Sequence, residues 1–493
     1  MKEKNTAGLL SRVDWPFYRT ALALALPIAF QNLLTSCASL IDTAMVVGLG
    51  NAATSAMGVA ARFSFLINVV CFGFASGCSA LLAQYWGARD MKNARRCIGF
   101  ALTVSLSFGI LFAVALAAIP APLMRIFTDD PAIVALGADY LRAFSLAVPF
   151  LVFSQIMCVS LRAIENVLLP LLSAAASVVL NTGLNYCLIG GNLGFPALGL
   201  RGAALASAAG CLLQTLIILA ALAFGRSPLR GRMADFFAFS RAFCRKYIRI
   251  AFPALLNEGL WALGTNVYIM VFARQGTENH AGYTLYENVQ QLFFVFFVGI
   301  CGACSVMVGN RIGRGDREGG YLAARRFAVM TPLVGVVMGA ALIAVRDPLL
   351  SLFPVETEAA RAVASACLLF YGFWIAMRMI PYTLICGVFR AGGDTRAGCI
   401  FDLLGLWAMG IPAVLLVSTV VRPTEFVVLV ATMFVAEDLV KGVLCVRHFR
   451  SRRWIKQLTL PDTSDGTDTP DSTDTPAAPD STDTPAAPAG DAA

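Results

Sequence analysis

Twelve stretches of predominantly apolar residues follow one another along this chain of 493 residues. Each is long enough to cross a bilayer, which takes roughly 20 apolar residues in a helix. We place them near 17–49, 53–85, 97–119, 132–160, 166–189, 199–224, 247–273, 281–310, 323–345, 362–389, 396–419 and 424–447. The chain is 58% hydrophobic and only 14% charged, against about 25% charged in an average soluble protein. A water-soluble chain could not hide this much apolar surface. The expected fold is an all-α membrane protein with twelve transmembrane helices and the lipid bilayer as its main partner.

The basic residues set the expected orientation. With the N-terminus inside, 29 of the 38 Lys and Arg fall on cytoplasmic segments and seven at outer ends, while Arg62 and Arg378 lie within spans. Arg162 and Arg390 are counted among the cytoplasmic ones. Such a bias places both termini in the cytoplasm of a multi-pass cell-membrane protein. The net charge of +8 is then a consequence of topology, and no nucleic-acid partner is expected. No cleavable signal peptide is evident in MKEKNTAGLLSRVDWPFYRT. Of the fourteen Cys, the close pair Cys301 and Cys304 sits among Gly and Ala. It reads as small residues packing between helices rather than as a redox or metal pair.

The sequence repeats itself at an offset of 226. Pro27 and Asn32 fall on Pro253 and Glu258, Gly73 on Gly299, and Cys78-Ser79 on Cys304-Ser305. Gln84, Gly87 and Asp90 fall on Asn310, Gly313 and Asp316, and Phe127 on Phe353. After a two-residue insertion, Leu161-Arg162-Ala163 meets Phe389-Arg390-Ala391. Six spans per half return the chain to the same side. The halves should therefore be related by an axis along the membrane normal, with the substrate site between or within them near mid-membrane. The expected organisation is an amino-terminal lobe at 1–225, a cytoplasmic linker at 226–246 and a carboxy-terminal lobe at 247–457. From 458 the chain turns acidic and rich in Pro and Thr, with DSTDTPAAP at 471–479 and again at 480–488. Such a tail buries too little apolar area to offset its ordering entropy, and disorder is expected.

Several motifs, in order, carry a family resemblance. They are Pro27 with Asp42 in the first span and GCSALLAQYWGARD ending the second. LRAIENVLLP opens the fifth, LNTGLNYCLIGG and FPALGLRGAALASA follow, and FRAGGDTR precedes an apolar span with Pro412. Over residues 15 to about 447 the chain resembles the multidrug and toxic compound extrusion (MATE) family, nearest its DinF-like prokaryotic branch. The resemblance implies a secondary antiporter that exports small cationic or amphipathic organic compounds in exchange for H⁺ or Na⁺ by alternating access. It also implies a monomer without cofactor or metal.

Asp42 is the first candidate for ion coupling. A carboxylate inside a span is costly and signals function by default, and the resemblance places a coupling Asp here. Asn181 and Asn185, spaced i, i+4, share a face of the fifth span and can reach Asp42. They read equally as interhelical hydrogen bonds. The family pattern commonly has Asp where this chain has Asn185, so a two-carboxylate Na⁺ cage is missing one charge and H⁺ suits the site better. Ser207 is a weaker member of the same cluster. Pro27 removes a backbone hydrogen bond and kinks its helix, as a hinge or as a fixed bend. Glu258 resembles the coupling acid of another branch of the family. Alternatively it pairs with Arg378, which is also within reach of Asp402. Asp402 itself reads as snorkelling or loop-facing at least as readily as coupling. Glu437 and Lys441 form an i, i+4 pair.

The runner-up is a flippase for a lipid-linked oligosaccharide or cell-wall precursor, which would need several cavity arginines. An enzyme is not expected. No H-E-x-x-H, G-x-S-x-G or P-loop pattern occurs, and His280 and His448 are the only histidines.

Overall fold

The structure, a computed structural model, describes residues 14–225, 227–351, 357–420 and 425–459. Among the described residues there is no strand. The long helices are α1 (Trp15–Val47), α2 (Asn51–Gly87), α3 (Met91–Ala118), α4 (Pro131–Phe144 with Val148–Ala163), α5 (Leu168–Gly190) and α6 (Gly199–Phe224). The second half holds α7 (Arg241–Ala273), α8 (Thr277–Gly313), α9 (Arg317–Ser351), α10 (Glu358–Phe389), α11 (Thr395–Ser418) and α12 (Phe426–Ser451). The twelve expected spans are all present. Ten are long and apolar enough to cross a membrane, counting α4, bent by 54°, as one. The exceptions, α7 and α12, are 33 and 26 residues long. They carry Glu258 and the Glu437-Asp438-Lys441 run, whose charges turn inward.

Local chemistry sets several helix starts. The Asp90 side chain accepts from Asn93 N–H (3.0 Å) to open α3, and Ser240 accepts from Phe243 N–H (3.2 Å) to open α7. Each satisfies one of the donors a helix leaves free at its N-terminus. Late in α10 and in mid-α11 the backbone widens into π-helical turns at Thr383–Phe389 and Leu404–Gly410.

Packing follows the repeat. In the first half α1 packs on α5, α2 on α3 and α4, α3 on α4, α4 on α6, and α5 on α6. The second half reproduces every one of these pairings six helices later. Between halves, α1 lies on α8, α7 on α2, and α2 on α8. Where α2 and α8 cross, a Cβ at Gly87 would run into the Asn310 carbonyl, and one at Gly313 into the Gln84 carbonyl. The repeat therefore keeps Gly at both positions because the backbones touch there.

That end of the bundle is sealed across the halves. Gln84 Nε2 donates to the Ala391 carbonyl (2.9 Å) and the Lys456 carbonyl (3.1 Å), and its Oε1 accepts from Leu458 N–H (2.7 Å). Asn310 donates to Glu165 (2.6 Å). Trp454 is fully buried beside Phe389 and Phe449. Asp14 pairs with Arg326 (2.8 Å) and Arg452 with Glu318 (2.7 Å), both partners in the opening part of α9. The described chain thus begins and ends on one side.

Two boundaries move. The segment 226–246 is not only a connection. Its Met233–Phe237 turn is helical and packs on α3, and α7 already begins at Arg241. Packed chain also continues past 457, because the Gln84 bond holds Leu458. The acidic repeats and Phe353 lie outside the described residues.

The basic end is expected to face the cytoplasm. A Cys introduced at Asn192, between α5 and α6, should react with an impermeant thiol reagent on whole cells, and one at Ser240 should not. The reverse labelling would invert the topology.

Candidate functional site

The candidate residues gather into two groups. The first joins α1, α5 and α6 at the end of the first half opposite the sealed crossing. Asn185 Nδ2 donates to Asp42 Oδ1 at 2.5 Å. The Asn181 amide has two settings. In one, its nitrogen donates to Ser207 Oγ (3.2 Å) and its oxygen accepts from Asn185 (3.3 Å). In the other, its nitrogen donates to Asp42 Oδ1 (2.9 Å), while its oxygen accepts from the Ser207 hydroxyl and backbone N–H, both at 3.2 Å. The second setting trades the Asn185 contact for a bond to the carboxylate and gives the amide oxygen the Ser207 N–H as donor, and we adopt it. Asn181 and Asn185 are buried and Asp42 is half-buried. Asn185 Oδ1 has no partner, an uncommon state for a buried acceptor. Two amides thus converge on one carboxylate, and one of them keeps an acceptor without a partner.

The second group lines a cavity of about 310 Å³ between the halves. None of Asp42, Asn181, Asn185 and Ser207 lines it. Its apolar wall includes Ile28, Phe72, Trp261, Phe294 and Tyr382. Eight charged side chains also reach it, four of each sign. Arg390 Nη2 donates to Glu258 Oε1 at 2.6 Å, and its Nη1 to Ser76 Oγ at 3.3 Å. Arg378 pairs with Asp438 at 3.4 Å, and Trp374 Nε1 donates to the same carboxylate at 2.9 Å. Lys441 bridges Asp402 (2.5 Å) and Glu437. Asn257 donates to Asp402 (3.0 Å) and the Tyr268 hydroxyl to Glu437 (3.3 Å). Arg162 Nη2 donates to the Gln31 side-chain oxygen at 2.6 Å.

These contacts correct three expectations. Arg378 bonds neither Glu258 nor Asp402; its partner is Asp438, one helical position past Glu437. Asp402 does not face a loop but is held inside by Lys441. The Glu437–Lys441 pair forms as its spacing implied, with Asp402 added. Glu258 is ion-paired, but to Arg390, and Arg162 likewise faces the cavity. Both arginines therefore leave the set of loop cations that the basic-residue count assigned them to. The signal that would have found them was the repeat itself, since LRA at 161–163 and FRA at 389–391 were aligned. Gln31, Asn257 and Asp438 carried no such mark. Arg62 is exposed on α2, outside the cavity lining.

Pro27 lies one residue before Ile28, on the cavity stretch of α1, and Pro253 lies within α7. A single helix thus carries the proline, the cavity residue Ile28, the Arg162 partner Gln31 and, roughly 22 Å beyond Pro27 at 1.5 Å per residue, Asp42.

Comparison with known proteins gives a consistent picture. The MatE family model matches residues 27–187 and 253–416, two segments whose starts are the repeat-related prolines. A probable multidrug resistance protein NorM of Thermotoga maritima is 23% identical over 444 residues, covering 89% of this chain and 93% of that protein. A probable multidrug resistance protein NorM of Rhizobium meliloti is 27% identical over 420 residues, covering 80% and 86%. Among solved structures, the outward-facing conformation of a multidrug resistance MATE family transporter superposes with a TM-score of 0.78 at 18% identity, covering 89% of this chain and 95% of that one.

Proposed function

The chain belongs to the MatE family of membrane transporters, and from that premise we propose that it exports small cationic or amphipathic organic compounds from the cytoplasm in exchange for protons. The observation that carries this reading is the separation of two sites on one helix. Asp42, held by two amides, stands at one end of α1, and the aromatic cavity opens beside the Pro27 stretch of the same helix. Taking up a proton at Asp42 removes the charge to which both amides donate. Asn185 Oδ1, free of any donor, can then accept from the new O–H. That exchange of hydrogen bonds changes how α1 is tied to α5, and Pro27, which lacks a backbone N–H, is the point where α1 bends most easily. Alternating access follows if the bend decides whether α1 closes on the cavity.

The amides favour H⁺ over Na⁺. Both aim N–H groups at Asp42, whereas Na⁺ needs several oxygens around it. The sealed crossing of α2 and α8 lies at the basic end, and with that end in the cytoplasm the cavity is shut on the cytoplasmic side. One chain supplies both sites, so a monomer suffices. A flippase for a pyrophosphate-linked precursor fits less well, because three of the four cavity cations, Arg378, Arg390 and Lys441, are each matched by a carboxylate of the protein, which leaves Arg162 alone for a diphosphate.

The test is dye export from reconstituted vesicles under one gradient at a time. A pH gradient should drive accumulation of a cationic dye, and a sodium gradient at constant pH should not. Transport driven by sodium alone would assign the other ion.

A further inference from the structure

The repeat offers an internal control for one cavity residue. Arg162 and Arg390 occupy equivalent places and both face the cavity. Arg390 meets a carboxylate, Glu258, at 2.6 Å. The equivalent of Glu258 in the first half is Asn32, and its amide turns back to its own helix, donating to the Ile28 carbonyl (3.0 Å). Arg162 is left with one amide oxygen, that of Gln31. Its Nε is buried without a partner, and among the described residues no carboxylate pairs with it. Its charge is tolerated because it sits in the last turn of α4, where helix carbonyls favour a cation. On the opposite account, Asp402 and Glu437 share the single Lys441. The cavity therefore holds one cation without a counter-ion and one surplus carboxylate.

We propose that Arg162 is an acid-binding subsite of the cavity, and that the preferred substrates are amphoteric: an organic cation that also carries a carboxylate or similar oxyanion. The substrate acid takes at Arg162 the place that Glu258 fills at Arg390. A guanidinium presents a planar fork that matches an oxyanion with two parallel bonds. The cationic part is drawn to the Asp402–Glu437 side. The inference rests on the cavity being the binding place for organic compounds.

Rhodamine B, which bears a carboxylate beside its cation, and its ethyl ester, which lacks the free acid, separate the two ideas. Binding to the purified full-length chain in nanodiscs is read by fluorescence anisotropy. The acid should bind about tenfold more tightly than the ester, the value of one charge-assisted bond. Arg162→Gln should bring the ratio of the two affinities to about one. Asn32→Glu, which supplies the missing internal carboxylate and keeps Arg162, should do the same. A ratio near one in the wild type, or a preference that survives both substitutions, overturns the subsite while leaving the export reading intact. Binding of neither dye overturns the export reading, and the subsite with it.

Discussion

Asp42→Asn is expected to insert normally and to lose gradient-driven export, falling at least tenfold toward the background of empty vesicles. The substitution keeps the side chain's size and one acceptor, so Asn181 and Asn185 can still bond it. What it removes is titration. An antiporter must bind ion and substrate at linked sites, and a side chain that never changes charge cannot link them. Downhill equilibration of the dye should be affected far less than uphill export. Glu258→Gln should retain part of the export, because the amide oxygen can still accept from Arg390 and Ser76 remains its second partner. Near-normal export by Asp42→Asn, with abolition by Glu258→Gln, would move coupling into the second half.

The second large effect is on stability. Lys441→Met should cost on the order of 3–5 kcal/mol, because removing one member of a buried ion pair strands its partners. Here Asp402 and Glu437 both lose their cation, with Asp438 next in sequence and already shared with Arg378. Purified Lys441→Met should melt well below the wild type, or fail to accumulate. Adding Asp402→Asn to it should recover part of the loss, since a neutral amide no longer needs the ammonium. A Lys441→Met chain that melts with the wild type would mean that the carboxylates around it are already neutral.

Why some of this was readable from residues alone, and some was not, has a physical basis. All twelve spans announce themselves by length and apolarity, α7 and α12 least strongly because of the charges they carry. The Asp42 cluster was readable because the i, i+4 spacing fixes a shared face on α5, and because helices of equal direction bring similar depths together. Pairing inside the cavity was not. Arg378 and Arg390 are twelve residues apart on α10, which on ideal helical phase puts them about 120° apart. The π-helical turn at Thr383–Phe389 lies between them and adds to each turn a fraction of a residue that the sequence does not announce. Both arginines consequently reach the cavity, and each takes a partner that simple phase would not assign. Loop counting failed at Arg162 for a related reason. Near the end of a span, a long side chain can turn inward as readily as outward, and position along the helix does not decide which.

The central claim is that proton binding at Asp42 is linked to substrate binding in the cavity. The most direct measurement is the proton balance on binding, taken on purified protein in weak buffer with a pH indicator as a cationic substrate is added. The wild type should release a proton as the substrate binds, in an amount that varies with pH, and Asp42→Asn should release none. Equal release from both proteins, or none from the wild type at any pH between 5 and 8, would contradict the account.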